Sequence, residues 1–124
     1  MHELSIAHSI VEVAEKAAID AGATQVKAVH LRLGVLSGVV KSSLLFGWEI
    51  VTQDTLLAGA SLEIEELPVI VFCPTCQQAV TLPSTQLFRC PICDTPTAQI
   101  LQGRELEVKA LELVDDEVSG QHSQ

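Results

Sequence analysis

Two pairs of cysteines form the clearest chemical pattern in this chain of 124 residues. Cys73 and Cys76 enclose two residues, Cys90 and Cys93 enclose two more, and residues 77–89 separate the pairs. Each Cys-x-x-Cys turn can present two thiolates on one side of a tight knuckle, and two facing knuckles complete the four-sulfur tetrahedron that Zn²⁺ accepts. The pattern predicts a closed structural metal site, which leaves no coordination position open for catalysis.

Two other interpretations of the cysteines stay open. Iron fits the same four thiolates, and each pair could instead close a disulfide. The chain starts without the basic segment of a signal peptide, and its longest apolar stretch, residues 67–73, is far too short to span a membrane. We therefore expect a cytoplasmic protein without membrane insertion, in which thiols stay reduced and metal is favoured over disulfides.

The first three residues form a second candidate metal site. The amine of Met1, the backbone nitrogen of His2 and the His2 imidazole can close adjacent chelate rings around one ion, and Glu3 adds a carboxylate. Nitrogen donors of this kind suit Ni²⁺ or Cu²⁺. The alternative is that the histidine is incidental and that Glu3 only complements the dipole of the helix that follows.

The charge of the chain argues against nucleic acid as a partner. Seven Lys and Arg residues stand against sixteen Asp and Glu residues, for a formal net charge of −9. Within residues 68–101, Arg89 is the only basic residue. Binding along a phosphate backbone needs clustered basic side chains, so a nucleic-acid zinc ribbon is not expected.

Apolar residues at helical spacing predict two helices that would support these sites. The first spans residues 4–20 and ends near Gly22, which suits a left-handed cap. The second is expected to be capped by Ser42 or Ser43 and to stop at Gly59. Its predicted apolar face contains Leu44, Trp48 and Val51, widened by Phe46 and Ile50.

Alternating patterns predict three strands of one sheet. Residues 26–35 place Val29, Leu31, Leu33 and Val35 on one face, and shorter alternations follow at 62–65 and 105–110. Residues 68–101, called the cysteine lobe below, carry all five prolines and all four cysteines with little periodicity.

The predicted fold class is therefore α+β, with two helices packed on a small sheet of about three strands and an inserted zinc-ribbon-like lobe with four cysteines. Residues 1–67 plus 102–114 would form the α+β domain, residues 68–101 the cysteine lobe, and residues 115–124 a flexible acidic tail.

In combination, these features resemble the HypA/HybF family of hydrogenase maturation factors over residues 1–114. The resemblance is carried by the start sequence Met1-His2-Glu3-Leu4-Ser5, the strand that ends near Gly34, the helix that begins Ser42-Ser43-Leu44, the spaced cysteine pairs, and the return of the chain at Gly103.

The resemblance implies a nickel metallochaperone, which is not an enzyme. Such a protein would bind Ni²⁺ at its N-terminus and, with a HypB-type GTPase, deliver it to the large subunit of a [NiFe]-hydrogenase. His2 would then bind nickel, with the Met1 amine and Glu3 beside it. The four cysteines would hold a structural Zn²⁺. A homodimer and a shared role in urease maturation stay open.

Two positions depart from the family pattern. Several relatives have an acidic residue before the second helix that can join the nickel site, but this chain reads Val39-Val40-Lys41 there. Relatives also often place a histidine directly after the second cysteine pair, where this chain has Asp94. A change of zinc ligation from four cysteines to two cysteines and two histidines is therefore not expected.

The other histidines receive structural interpretations. His8 is expected on the solvated face of the first helix, His30 on the wetter face of a strand, and His122 in the polar tail. No local nucleophile motif accompanies them, which again argues against an enzyme. The competing function is a zinc-ribbon adaptor that binds proteins without delivering nickel, with the apolar residues 67–72 and the cysteine lobe as its partner surface.

Overall fold

The computed structural model describes residues 3–114. It contains two helices and six strands, in the order α1 (Glu3–Asp20), β1 (Gln25–Gly34), α2 (Lys41–Val51), β2 (Ser61–Leu67), β3 (Ile70–Cys73), β4 (Gln78–Thr81), β5 (Gln99–Gln102) and β6 (Leu106–Val114). The strands form two three-stranded sheets, ordered β2-β1-β6 and β4-β3-β5. The predicted α+β class, with two helices, a three-stranded sheet and a separate four-cysteine lobe, is confirmed.

The described chain divides into two compact units. The first comprises Val39–Ile64 and the described parts of Met1–Leu31 and Val108–Gln124, and the second comprises Arg32–Gly38 and Glu65–Glu107. The domain boundaries predicted from the sequence stay a prediction.

Helix α1 buries one face, as its periodicity predicted. Its buried residues include Ala7, Ile10, Val11, Ala14 and Ala18. They pack in one apolar cluster with Val26, Val29 and Leu31 of β1 and with Leu44 and Trp48 of α2. Because the apolar stripe is narrow and rich in alanine, α1 can approach its neighbours closely.

The predicted ends of α2 are wrong. The N-cap residue is Val40, whose own side chain makes no capping hydrogen bond, so neither Ser42 nor Ser43 has that role. The helix ends at Val51, well before Gly59. Thr52 stops it locally, because its hydroxyl and its backbone N–H both donate to the carbonyl of Trp48, at 2.9 and 3.1 Å.

Several apolar residues assigned to the interior face solvent instead. Phe46 is 73% exposed, Ile50 is 47% exposed, and Val35 is 47% exposed. Leu44 and Trp48 are buried as predicted. The apolar face of α2 is thus narrower than its sequence indicates, since only the arc that meets α1 and the sheet is covered.

The second unit has a small core of its own. Its buried residues are Val69, Val71, Cys73, Val80, Leu82 and Cys90. Within residues 67–72, Leu67, Val69 and Val71 are buried whereas Pro68 is exposed, so only part of this stretch lies in the interior. Its role as a partner surface, together with the cysteine lobe, stays a prediction. Val69 and Val71 pack in this core, and β3 lies at the centre of its sheet, between β4 and β5.

Among the described residues, none of the helices has the length and apolar character that crossing a membrane would require.

Candidate metal centre

The first cysteine pair lies in the turn of a β-hairpin. Strands β3 and β4 are antiparallel, and their last pairing joins Cys73 to Gln78. The backbone N–H of Gln77 donates to the carbonyl of Cys73 at 2.8 Å, and Gln77 itself has a φ of 57°. This left-handed residue turns the chain back into β4, so that Cys73 and Cys76 can face the same point.

The second pair repeats this local geometry without a regular hairpin. The N–H of Asp94 donates to the carbonyl of Cys90 at 2.8 Å, and Asp94 has a φ of 63°. The N–H of Cys90 donates to the carbonyl of Thr95 at 2.8 Å, which closes the turn. The Asp94 carboxylate accepts a hydrogen bond from Nε of Arg89 at 3.0 Å, so its side chain pairs with the basic residue of the lobe.

The two knuckles bring all four sulfurs together. The sulfurs of Cys73, Cys76, Cys90 and Cys93 lie within 4.8 Å of one another. Sulfurs of Cys73 and Cys93 are 3.5 Å apart, and those of Cys76 and Cys90 are 3.9 Å apart. A tetrahedron with Zn–S bonds of about 2.3 Å has edges of about 3.8 Å. The cluster therefore fits a Zn²⁺ ion, and a disulfide framework is not formed, since all four cysteines are free.

The four clustered cysteines differ in their surroundings. Cys73 and Cys90 are buried, Cys76 is half-buried and Cys93 is exposed. The first sulfur of each knuckle accepts a backbone N–H, from Cys76 to Cys73 at 3.3 Å and from Ile92 to Cys90 at 3.4 Å. Bonds of this kind stabilise a thiolate, the form of cysteine that binds metal.

The cluster is also prepared for a metal electrostatically. The hydroxyl and then the backbone N–H of Thr95 lower the pKa of the Cys93 thiol to about 6. The contact with Cys93, followed by desolvation, raises the pKa of the Cys76 thiol to about 12. The hydrogen bonds from Thr95 thus favour the thiolate form of the exposed Cys93, the form of cysteine that binds metal.

Sequence reasoning missed two threonines beside the cluster. The hydroxyl oxygen of Thr95 lies 3.1 Å from the sulfur of Cys93 and 2.9 Å from the hydroxyl oxygen of Thr75. Thr75 lies inside the first knuckle and Thr95 follows the second. A hydroxyl within two residues of a metal-binding cysteine is the signal that would have suggested them, because it can hydrogen-bond the sulfur.

The side chain of Thr97 places a polar hydroxyl in the interior of the second unit. It is 5% exposed, and its hydroxyl has no hydrogen-bond partner among the described residues. Replacing it with valine removes a desolvated polar atom at nearly constant shape, so we expect Thr97→Val to stabilise the zinc-loaded protein by about 1 kcal/mol. Denaturant unfolding checks this. A variant less stable than the wild type would show that the hydroxyl is solvated or bonded in solution.

The predicted nickel ligands are only partly within the described residues. Met1 and His2 lie outside them. Glu3 begins α1, is 8% exposed, and accepts a hydrogen bond from the backbone N–H of Val40 at 2.9 Å. Glu3 therefore holds the first turn of α1 beside the residue that precedes α2.

Two of the remaining histidines pair with carboxylates. Nδ1 of His8 lies 3.9 Å from Glu12 on the solvated face of α1, as expected. Nε2 of His30 lies 2.7 Å from the carboxylate of Glu112, which explains its place on the wetter face of β1. His122 lies outside the described residues.

The fold and the site define an α+β protein with a four-cysteine, zinc-ribbon-like metal lobe. A family model described as "Hydrogenase/urease nickel incorporation, metallochaperone, hypA" matches residues 1–113. The chain belongs to this family, so the resemblance found in the sequence is confirmed.

Known relatives agree with this assignment. The hydrogenase maturation factor HypA of Chloroflexus aurantiacus is 58% identical over 112 residues, which cover 90% of this chain and 98% of the relative. The HypA of a Roseiflexus species is 55% identical over 116 residues, 94% of each chain. A solution structure of the Ni metallochaperone HypA from Helicobacter pylori has the same fold, with a TM-score of 0.65 at 24% identity over 93% of this chain and 99% of that one.

Proposed function

We propose that this protein binds Ni²⁺ at its N-terminus and, in the cytoplasm, delivers it with a HypB-type GTPase to the large subunit of a [NiFe]-hydrogenase. The observation that carries the proposal is the family match over residues 1–113, because that family is described by nickel incorporation and the match includes the N-terminal triplet. The protein would act by binding and release rather than by catalysis.

His2 is the proposed nickel ligand, together with the amine of Met1. Amine and imidazole nitrogens favour Ni²⁺ over the hard cations that prefer oxygen. Glu3 supports the proposed nickel site by offering a carboxylate and also by holding the start of α1. Its hydrogen bond to the N–H of Val40 fixes the start of α1, so the proposed ligands are attached to a helix end that is held in place.

The four cysteines have the proposed role of binding a structural Zn²⁺. The sulfur distances support zinc, because they match the edge of a Zn–S tetrahedron. When bound, the ion would crosslink the two knuckles and stabilise the second unit. The same proposal includes separate folding of two parts of the chain. One is the cysteine lobe, residues 68–101, and the other is the α+β domain formed by residues 1–67 and 102–114.

Nickel titration of the untagged protein with and without His2 tests the delivery site. We expect about one Ni²⁺ per chain for the wild type. Loss of an outer partner of a metal ligand alone costs about 10- to 100-fold in affinity, so His2→Ala, which removes the ligand itself, is expected to weaken binding at least about 100-fold. Extending the chain before Met1, which converts the amine into an amide, is expected to act in the same direction.

His8→Ala is the matched control, because His8 is a histidine on the solvated face of α1, whose first residue, Glu3, directly follows His2. It is expected to bind nickel as the wild type does. Affinity of the wild type should also fall as the pH drops, because both the amine and the imidazole must lose protons before they can ligate. Unchanged nickel affinity in His2→Ala would rule out the N-terminal site, and full hydrogenase maturation by that variant would favour the adaptor function instead.

A further inference from the structure

Two sulfurs on different knuckles of the cluster are close enough to react with each other. Sγ of Cys93 lies 3.5 Å from Sγ of Cys73, whereas Sγ of Cys76 lies 3.9 Å from Sγ of Cys90. We propose that Cys93 is an oxidation site for hydrogen peroxide and that Cys73 resolves it, which forms a disulfide between the knuckles and releases the metal. This inference rests on the zinc site of the proposed function.

The exposure of the two cysteines assigns their roles. Cys93 is the exposed member of the cluster, and Cys73 is fully buried. Peroxide dissolved in water therefore reaches Cys93 first. An accessible thiolate beside a second cysteine is the usual arrangement of an oxidisable pair, in which the first sulfur is oxidised and the second condenses with it.

The distance between the two sulfurs suits the condensation. Reacting atoms held about 3–3.5 Å apart are already in near-attack positions, and the 3.5 Å between Cys73 and Cys93 meets that limit. Sγ of Cys73 also accepts the backbone N–H of Cys76 at 3.3 Å, which favours the thiolate that must attack. An S–S bond of about 2.05 Å then needs the two sulfurs to approach by about 1.5 Å.

Both steps balance with peroxide as the oxidant. The Cys93 thiolate attacks one oxygen of hydrogen peroxide, an S–O bond forms, the O–O bond breaks and hydroxide leaves, which gives a sulfenic acid. The Cys73 thiolate then attacks the Cys93 sulfur, an S–S bond forms, the S–O bond breaks and a second hydroxide leaves. The two sulfurs together lose two electrons, peroxide gains them, and the two hydroxides take protons from the buffer.

Oxidation replaces one crosslink between the knuckles with another. Cys76 and Cys90 alone remain as thiols, and two sulfurs do not complete a tetrahedral four-sulfur site, so the zinc is lost. The disulfide ties the end of β3, at Cys73, to Cys93 in the second knuckle, so the second unit keeps a link between its parts. A dithiol reductant reverses the change by thiol–disulfide exchange, as is typical of transient disulfides in reducing compartments.

Disulfide mapping of the zinc-loaded full chain tests the inference. The wild-type protein is treated with hydrogen peroxide, zinc release is followed with a coloured chelator, and the remaining thiols are blocked with iodoacetamide. We expect bound zinc to fall from about one ion per chain to nearly zero, and alkylation at Cys76 and Cys90 but not at Cys73 and Cys93. Dithiothreitol with added Zn²⁺ should restore the zinc content.

Peptide mass spectrometry identifies the disulfide directly. Trypsin cleaves after Arg89, which separates the two cysteine pairs, so a disulfide between the pairs joins two peptides and a disulfide within a pair does not. Brief treatment with peroxide in the presence of dimedone, which captures sulfenic acids, should label Cys93 and not Cys73.

Protein oxidised after removal of its zinc is the matched control. Without the folded cluster, cysteines of the same pair meet most often, because short loops close at the lowest entropic cost. Disulfides within the pairs should therefore replace the disulfide between them. The contrast would show that the fold selects Cys73 and Cys93 as partners.

Each result supports or overturns the inference. Zinc-loaded protein that forms disulfides within the pairs overturns it and leaves the zinc assignment intact. The same holds if zinc is retained at a peroxide concentration that oxidises the zinc-free chain. Dimedone on Cys73 in place of Cys93 contradicts the assigned roles and also overturns it. A reduced wild type that binds no zinc overturns the zinc assignment itself, which distinguishes the two failures.

Discussion

Replacing Cys90 with serine is expected to abolish zinc binding and to unfold the second unit. Cys90 is one of the four clustered cysteines and is also part of a core of six buried residues. Structural zinc contributes about 10–16 kcal/mol in comparable small sites, about as much as the gross burial of six core side chains at about 1.5–3 kcal/mol each, so the second unit loses a large share of its stabilisation without the ion. We expect zinc content to fall from about one ion per chain to nearly zero, as measured by elemental analysis.

Amide hydrogen exchange in Cys90→Ser measures which part of the chain unfolds. Protection should be lost within Glu65–Glu107 and kept in α1 and α2, which pack in the apolar cluster of the first unit. Chelation of zinc from the wild type should produce the same pattern, and added Zn²⁺ should reverse it only in the wild type. Native protection of β3 in Cys90→Ser would contradict a metal-dependent second unit.

The cysteine site was predictable because its determinants are local. Two residues between the cysteines of a pair allow a single turn to aim both sulfurs at one ion, so spacing alone identified Cys73, Cys76, Cys90 and Cys93. The contact of Thr75 with Thr95 was not predictable in the same way. It joins residues on different turns, and their approach depends on how the two knuckles face each other.

Errors in the fold have a similar origin. Val35 and Phe46 continue apolar patterns, yet both are exposed, because burial depends on how far the neighbouring elements extend. Residues 67–72 show the reverse case. Their apolar run suggested an exposed surface, but Leu67, Val69 and Val71 are buried, and the sequence pattern did not reveal the strands β4 and β5 that flank β3. Sequence periodicity predicts which face is apolar, and tertiary packing decides what covers it.

Two glycines that contributed to the family resemblance contact each other in the second unit. A Cβ atom on Gly34 would overlap the backbone carbonyl of Gly103 and lie 2.7 Å from the backbone nitrogen of Arg104. Backbone hydrogen bonds flank this approach, from Gly34 N to Glu105 O at 2.8 Å and from Leu36 N to Gly103 O at 2.7 Å. Residue 34 therefore has to be glycine for β1 to meet the returning chain.

Gly34→Ala is accordingly expected to destabilise the protein by about 3 kcal/mol or more, since overpacking costs about 1–3 kcal/mol and the flanking hydrogen bonds are weakened as well. For a domain of this size, the midpoint of thermal unfolding should fall by about 10 °C.

Gly22→Ala is the matched control for this substitution. Gly22 has a φ of +75°, and nothing lies within 4 Å of an added Cβ, so alanine there meets backbone strain without a clash. It is expected to cost about 1 kcal/mol. Equal losses in the two variants would show that Gly34 can move away from Gly103. Because the overlap is with backbone atoms, no second side-chain substitution should restore the stability of Gly34→Ala, whereas a clash with a flexible side chain could be relieved by shortening that side chain.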